Sequence, residues 1–563
     1  GDSGEDELAA VWRRCVSAMH ELGIERAWRA FGVMPPSHEA AVAVHRLEGF
    51  GLSMLATRHL TRGDELLCVP LRGALAVRCA PDDDVELALA LLNAIETDDA
   101  WRDYATDVLP NTDDLTASFL WSPEQLDWLP RFARDEAQRV ARRLQPLRRR
   151  TVRRHHLLAD VGDGTFGRGA LVLGSSCPTA TLGFGAEWAL AMVMSRSILL
   201  HDDRGEAAFR ALVPIADLFN HLPESPAEYV AAAMATGQDD PPPSWVLRRK
   251  TSHTGSRLGA NAVALDEVVK QGKIPLSVLN ELSVAVCAPH DVSVGQHVLL
   301  PYGVETNAEL LATHGFVLAE NSAEYLCLFP SHVMMAESYE KYLSEMRLAR
   351  GLNETMSVEG AHCESDGIVM ALSALHDKLL ILSSLDASEA PLAVRPGAGL
   401  DACSHVLGCA MLLAADADEV DCFVETWSDA AGHAVLAPVV VRAASEERGL
   451  SSARIFALEK AACAFLRHVA NTNLLALAES DARALPQNKR PVGLLGGPTR
   501  RSSSVLSGKR KAPSLPLHEE IGDTPSQEAS LEAKRKLLSL QYREYTKGLL
   551  RSFVMRCDAR LAH

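Results

Sequence analysis

The chain has 563 residues, 47% of them hydrophobic, and a formal net charge of −17 at pH 7. Such a length and apolar content can fill two or three cores, so a multidomain globular protein is expected. The acidic balance argues against general nucleic-acid binding, and no apolar run reaches the about eighteen residues that a membrane-spanning helix needs. The twelve cysteines are scattered without a Cys-x-x-Cys pair, Cys403 and Cys409 being among the nearest neighbours. They read as reduced thiols of an intracellular protein, in cytoplasm, nucleus or an organelle, and no metal site is expected. Gly1 is not a methionine, which leaves a removed targeting segment open.

In chain order, residues 1–39 form an N-terminal segment in which 7–31 read as an amphipathic helix, with Leu8, Val11, Trp12, Cys15, Met19 and Leu22 on one side. Short strands are expected over about 40–80. A largely helical insertion follows at about 88–190: Val85 to Ile95 is apolar with an acidic start, and a helix from Pro123 to Arg143 begins at a Ser122-Pro123 cap. Within the insertion, Arg148, Arg149, Arg150, Arg153, Arg154, His155 and His156 are either a solvated helix face or a dock for an acidic substrate. Gly162-Asp163-Gly164-Thr165-Phe166-Gly167 fits a dinucleotide-binding string but follows no buried strand, so it is set aside.

The chain returns to its core near Glu187. The apolar run Leu212 to Phe219 reads as a buried strand that stops at two hydrogen-bonding residues, Asn220 and His221. Residues of about 225–278, with Pro241-Pro242-Pro243, lack a sustained apolar face and read as an inserted surface loop. About eighty residues after Asn220 the run Gln296 to Leu300 breaks at Pro301 and Gly303, holding Tyr302 between them. Asn307 to Leu311 then reads as a short helix capped by Asn307 and ended by Gly315-Phe316. Further helices are expected at 333–350, 367–385, 402–414 and 451–479. A polar linker over about 484–528 includes Gly508-Lys509-Arg510-Lys511, either a nuclear signal or solvated chain, and a last helix runs from Leu531 to Leu561.

Taken singly, Asn220-His221 fits a satisfied turn and Tyr302 an ordinary core tyrosine. Their order and spacing, with two upstream segments, resemble SET-domain methyltransferases. Those segments are Glu48-Gly49-Phe50-Gly51-Leu52 with the hairpin from Ala56 to Leu66, and Trp188 with Ser195-Arg196-Ser197. The match is closest to the branch named for the Rubisco large-subunit lysine methyltransferase. Val108-Leu109-Pro110, Phe119-Leu120-Trp121-Ser122 and Trp128-Leu129 resemble that branch's insertion, and no cysteine-rich segment follows Phe316.

The resemblance implies an α+β fold: a SET-domain β-clip core of short strands at 40–325, followed at 326–563 by an all-α C-terminal substrate-binding domain. It implies transfer of a methyl group from S-adenosylmethionine to a lysine of a non-histone protein by a monomeric enzyme that docks this protein on its C-terminal helices. By family match, Glu48, Phe50, Gly51 and Leu52 line the amino-acid end of the cofactor and Gly49 allows close backbone approach. Ser195 and Arg196 hold its carboxylate. Asn220 and His221 bind the adenine and neighbouring groups, Asp217 supports them, and Phe316 covers the ring. Tyr302 aligns the methyl group with the target nitrogen. Ile198 and Leu300 are walls of the lysine channel or plain core. One branch of the family methylates histidine through an asparagine at the position of Ile198, whose side chain cannot hydrogen-bond. A catalytically idle, partner-binding SET-like protein is the reading from another class.

Overall fold

The computed structural model describes residues 26, 29–31, 41–47, 51–151, 184–201, 207–221, 245–249, 282–300, 305–321, 323–349, 378, 392–394, 404–415, 451–484 and 527–562. Of the helix expected over 7–31 only 26 and 29–31 are described, of that at 367–385 only 378, and of the linker at about 484–528 only its ends; the glycine string at 162–167 and most of 225–278 also lie outside the described residues. Two compact units are present, Gly1–Glu324 and Tyr325–His563.

The first unit mixes helices with short strands. Strands β1 (Val42–Leu47) and β2 (Gly51–Ala56) form an antiparallel hairpin with Val42 opposite Ala56. β3 (Glu65–Pro70) and β4 (Leu75–Arg78) follow. β4 joins β5 (Ser197–His201) and β6 (Ala207–Leu212) in a three-stranded sheet of order β4-β6-β5. The apolar run after β6 does not continue as a strand. It turns at Pro214, passes through a 3-10 turn at Ala216–Leu218, and only then forms β7 (Asn220–His221). Pro214 has no amide hydrogen for a ladder, which accounts for the break.

Within the stretch read as a surface loop, β8 (Trp245–Arg249) pairs with β9 (Leu282–Cys287), which also pairs with β3. Trp245, Val246 and Leu247 favour strands, and they face Val286, Ala285 and Val284 of β9. β10 (Leu299–Leu300) is the last strand among the unit's described residues.

The insertion contributes α1 (Asp83–Thr97), α2 (Asp99–Asp107), α3 (Pro123–Leu126) and α4 (Arg131–Ala141). The single helix expected from Pro123 is two. Ser122 and Gln125 form a reciprocal cap on α3, but Pro130 interrupts and starts α4. Of the arginine cluster, Arg148 pairs with Glu187 and Arg150 with Glu86, which favours the local helix-surface reading for these two. α5 (Ala186–Arg196) is buried along most of its length and leads directly into β5. Trp188 is 1% exposed and donates its indole N–H to the Pro110 carbonyl at 2.9 Å, fastening the insertion to α5.

The unit closes with α6 (Asn307–Thr313). Its cap is Thr306, in a reciprocal pair with Glu309, and not Asn307. Asn307 instead clamps the next turn, donating to the Leu318 carbonyl and accepting from the Leu318 amide.

The second unit is helical in its described residues except for β11 (Leu326–Cys327) paired with β12 (Ala393–Val394), so the all-α expectation is corrected there. Its helices are α7 (His332–Ala349), α8 (Ser404–Ala414), α9 (Ser452–Ala484) and α10 (Gln527–Ala562). Phe465 stacks on Phe329 and meets the edge of Tyr339 in the core. Lys378 is fully buried and donates to the Leu413 and Ala415 carbonyls, satisfying the end of α8. Tyr542, Leu549, Leu550, Phe553 and Cys557 of α10 are buried, whereas Leu537 and Leu540 of the expected apolar set are 52% and 43% exposed. Helical periodicity puts the first group on one stripe and turns the other two away.

Candidate functional site

The two motif strands lie side by side. β7 and β10 pair in parallel, Asn220 opposite Leu299 and His221 opposite Leu300. The chain entering β10 also pairs with β2, the Val298 amide donating to the Met54 carbonyl at 2.8 Å and the Ala56 amide to the Gln296 carbonyl at 2.9 Å.

Asn220 closes this junction. Its Nδ2 donates to the Leu52 carbonyl at 3.2 Å and the Ser53 hydroxyl at 2.7 Å, with His297 Nε2 at 3.4 Å. Ser53 is wholly buried, so the amide satisfies a hydroxyl that would be costly to leave alone. Three segments of the sequence pattern therefore converge: Gly51-Leu52 on β2, Asn220-His221 on β7 and Leu299-Leu300 on β10.

A second set of contacts ties in the Ser-Arg element. Arg196 ends α5 and donates through Nη1 to the Asp217 carbonyl at 3.1 Å and to Asp217 Oδ2 at 3.2 Å. Its Nε and Nη2 make no hydrogen bond among the described residues. The other Asp217 oxygen accepts from the Tyr104 hydroxyl. Burial first, only partly offset by Arg196, raises the Asp217 carboxyl above its ordinary value. Burial and then the Asp217 charge push the Tyr104 phenol well up, so it stays a protonated donor.

Tyr104 has one more task. Ile215 adopts φ 73, rare for a β-branched residue and costing about 1–3 kcal/mol, and its amide donates to the Tyr104 oxygen at 2.8 Å. Tyr104 thus holds the bend that redirects the chain from β6 towards β7. The sequence reading missed it. Only its place in the apolar stripe of α2, beside Trp101, was legible, and that stripe predicts core and not a tie to Asp217.

Ser195 donates its hydroxyl to the Ala191 carbonyl at 2.7 Å, so its one proton is used inside α5. Ile198 is half-buried on β5 opposite Ala211, and Leu300 is fully buried. Both pack with the apolar core of the first unit.

Phe316 is half-buried and meets the His314 ring edge-on at 5.8 Å. Its position depends on Gly315, which has φ 76 and accepts a hydrogen bond from the Thr116 hydroxyl at 2.9 Å. A Cβ at Gly315 would fall 2.3 Å from Thr116 Oγ1 and 2.6 Å from the Ala117 amide nitrogen, so only glycine fits against the insertion. Two carboxyls flank α6. Burial pushes Glu305 up to about 7 and Glu324 up to about 8, the latter accepting from the Asn307 amide. Glu48, Gly49, Phe50 and Tyr302, and the side chain of His221, lie outside the described residues.

No family model and no curated protein matches the chain. Among solved structures it is similar to the SET domain of LSMT bound to lysine and AdoHcy, at 15% identity and a TM-score of 0.48 over 97% of this chain and 91% of that one. It is also similar to Rubisco LSMT bound to AdoMet, at 14% identity and a TM-score of 0.46 over 97% of this chain and 92% of that one.

Proposed function

We propose that the chain is an S-adenosylmethionine-dependent protein methyltransferase with a SET-type core, acting on a lysine side chain of a non-histone protein. The observation that carries this reading is the parallel pairing of β7 with β10, locked to β2 by the Asn220 amide. It gathers motif segments that are far apart in sequence, in the combination that the resemblance to SET enzymes calls for.

The donor set suits the cofactor. Among the described residues Arg196 keeps two guanidinium nitrogens for a carboxylate, which a planar fork holds well. Ser195 has spent its proton on Ala191, so the carboxylate rests on Arg196. Asn220 uses Nδ2 on β2, and its Oδ1, with no hydrogen bond among the described residues, is placed to accept from an amine. Gly51 opens β2 with no side chain in the way, and Leu52 and Phe316 offer apolar cover, Phe316 to the adenine ring. Glu48, Phe50 and His221 keep the roles that the family match gives them. When bound, S-adenosylmethionine supplies a methyl group on a positively charged sulfonium.

The protein's part is alignment, a neutral amine and exclusion of water. A lysine amine titrates near 10.4, so presenting it neutral at pH 7 costs about 4–5 kcal/mol unless the site lowers that value. An apolar channel with Leu300 and Ile198 as walls disfavours the ammonium, and Tyr302 orients the lone pair. Orientation of this kind contributes on the order of 7–11 kcal/mol in well-aligned reactions. The hydrocarbon side chain of Ile198 offers an imidazole no hydrogen bond, which supports lysine over histidine as acceptor. The helical second unit is the part proposed to select the protein substrate.

The test is transfer of labelled methyl groups from S-adenosylmethionine to proteins of a cell extract, with the modified residue located by mass spectrometry. The reading expects methyl-lysine and its loss in Tyr302→Phe with cofactor affinity kept. Methyl-histidine would replace the acceptor assignment. Cofactor binding without transfer to any protein would favour the idle, partner-binding reading, and wild-type transfer by Tyr302→Phe would contradict the role given to that phenol.

A further inference from the structure

In the core of the second unit, His332, His405 and Cys409 bring three ligand atoms within 4.8 Å of one another. His332 opens α7, while His405 and Cys409 stand four residues apart on α8, which puts them on one face. The two imidazole Nε2 atoms are 2.9 Å apart, and Cys409 Sγ is 3.9 Å from His405 Nε2. The three residues are 3%, 6% and 0% exposed, and Cys409 belongs to the apolar core that also holds Leu407, Met411 and Met335.

We propose that His332, His405 and Cys409 form a binding site for a borderline-soft divalent cation of the Zn2+ type in the second unit. Two imidazoles and one thiolate are the donor types such ions prefer, and three protein donors leave a fourth tetrahedral corner for water. Ligand bonds of about 2.0–2.1 Å to nitrogen and about 2.3 Å to sulfur imply separations of about 3.3 Å between nitrogens and about 3.6 Å from nitrogen to sulfur at tetrahedral angles. The observed 2.9 and 3.9 Å differ from these by a few tenths of an ångström, and His332 and Cys409, whose ligand atoms lie within 4.8 Å, close by up to about 1.2 Å through side-chain rotation when the ion binds.

Without metal, the imidazole pair shares one proton between the Nε2 atoms. On binding, the histidine that carried this proton holds it on Nδ1 instead, and the Cys409 thiol releases its proton to solvent. Each ligand atom then presents a lone pair, and one proton leaves per ion bound. The thiolate offsets part of the metal charge in a surrounding that solvates ions poorly. The scaffold is firm, since α8 is packed throughout and its end is held by Lys378.

The experiment is titration of the metal-free full chain with Co2+, followed by near-ultraviolet thiolate-to-cobalt charge transfer and by visible bands of tetrahedral intensity. Zn2+ is then added as competitor. The expected result is saturation at about one equivalent, displacement of cobalt by Zn2+, and a loss of more than about tenfold in affinity in His332→Gln. Cys409→Ser should lose the charge-transfer band, while Cys327→Ser, which alters another thiol of the same unit, should keep it. Circular dichroism on each variant separates loss of binding from loss of fold. A folded wild-type chain with no charge-transfer band, or a band that survives in folded Cys409→Ser, overturns the proposal.

Discussion

The two units place polar groups by different means. In the first, the junction of β2, β7 and β10 is assembled by backbone pairing between segments far apart in sequence, and Asn220 and Tyr104 fix strand ends and bends. In the second, packing of apolar helix faces comes first, and polar residues such as Lys378 and the His332, His405 and Cys409 group are carried along inside it. The first arrangement leaves motifs that a sequence displays. The second leaves helical periodicity, in which a ligand group looks like core.

The contrast is broken most forcefully at Gly315. Gly315→Ala meets a left-handed backbone and three contacts under 3.0 Å with the insertion, so it should lower the stability of the chain in urea by about 3 kcal/mol. It should also weaken S-adenosylmethionine binding through Phe316. A neutral substitution there would show that the insertion does not press on the site.

The matching change in the second unit is Lys378→Met, which leaves the Leu413 and Ala415 carbonyls without this donor. Thermal unfolding should report a loss of about 2 kcal/mol and unaltered cofactor binding. If cofactor affinity fell as well, placement in the two regions would not be independent.

In the first unit, Tyr104→Phe tests the tie between α2 and the β6 to β7 bend. It removes one oxygen that serves both Asp217 and the Ile215 amide, at an expected cost of about 1–2 kcal/mol in urea unfolding. Because Arg196 leans on Asp217, cofactor affinity should fall several-fold while α5 keeps its helicity.

The last prediction concerns pH. Glu324 and Glu305 are raised from an ordinary 4.5 to about 8 and about 7, burial being the first cause in each, and buried Asp217 is raised as well. The folded chain therefore binds more protons than the unfolded chain above about pH 4.5, and these groups' stabilisation is lost as pH rises to about 8. Glu324→Gln keeps an acceptor for the Asn307 amide and should flatten the upper part of that slope in a series of urea titrations.

The segments that meet at the β2, β7 and β10 junction were legible in sequence because their residues interrupt apolar runs. Asn220 and Arg196 stand out against such a background, and Gly315 announces a turn. The β6 to β7 connection was not legible as it is: Leu212 to Phe219 is apolar but for Asp217 and reads as a strand, while the Ile215 bend is held by a phenol from α2. The cap of α6 was misplaced by one residue since Thr306 and Asn307 are both good caps, and only the reach of Glu309 decides between them. β8 was hidden because a five-residue strand between polar stretches has no periodicity of its own and is defined by its pairing with β9. His332 lies 73 residues from His405, so no spacing rule joins it to the pair on α8.

The central claim, that the β2, β7 and β10 junction holds S-adenosylmethionine, is tested most directly by calorimetric titration of the folded chain with that cofactor, repeated with Asn220→Ala. Saturable binding near one equivalent is expected in the wild type, and its loss, or a weakening of more than about tenfold, in the variant. Equal binding by both chains, or none by a folded wild type, would contradict it.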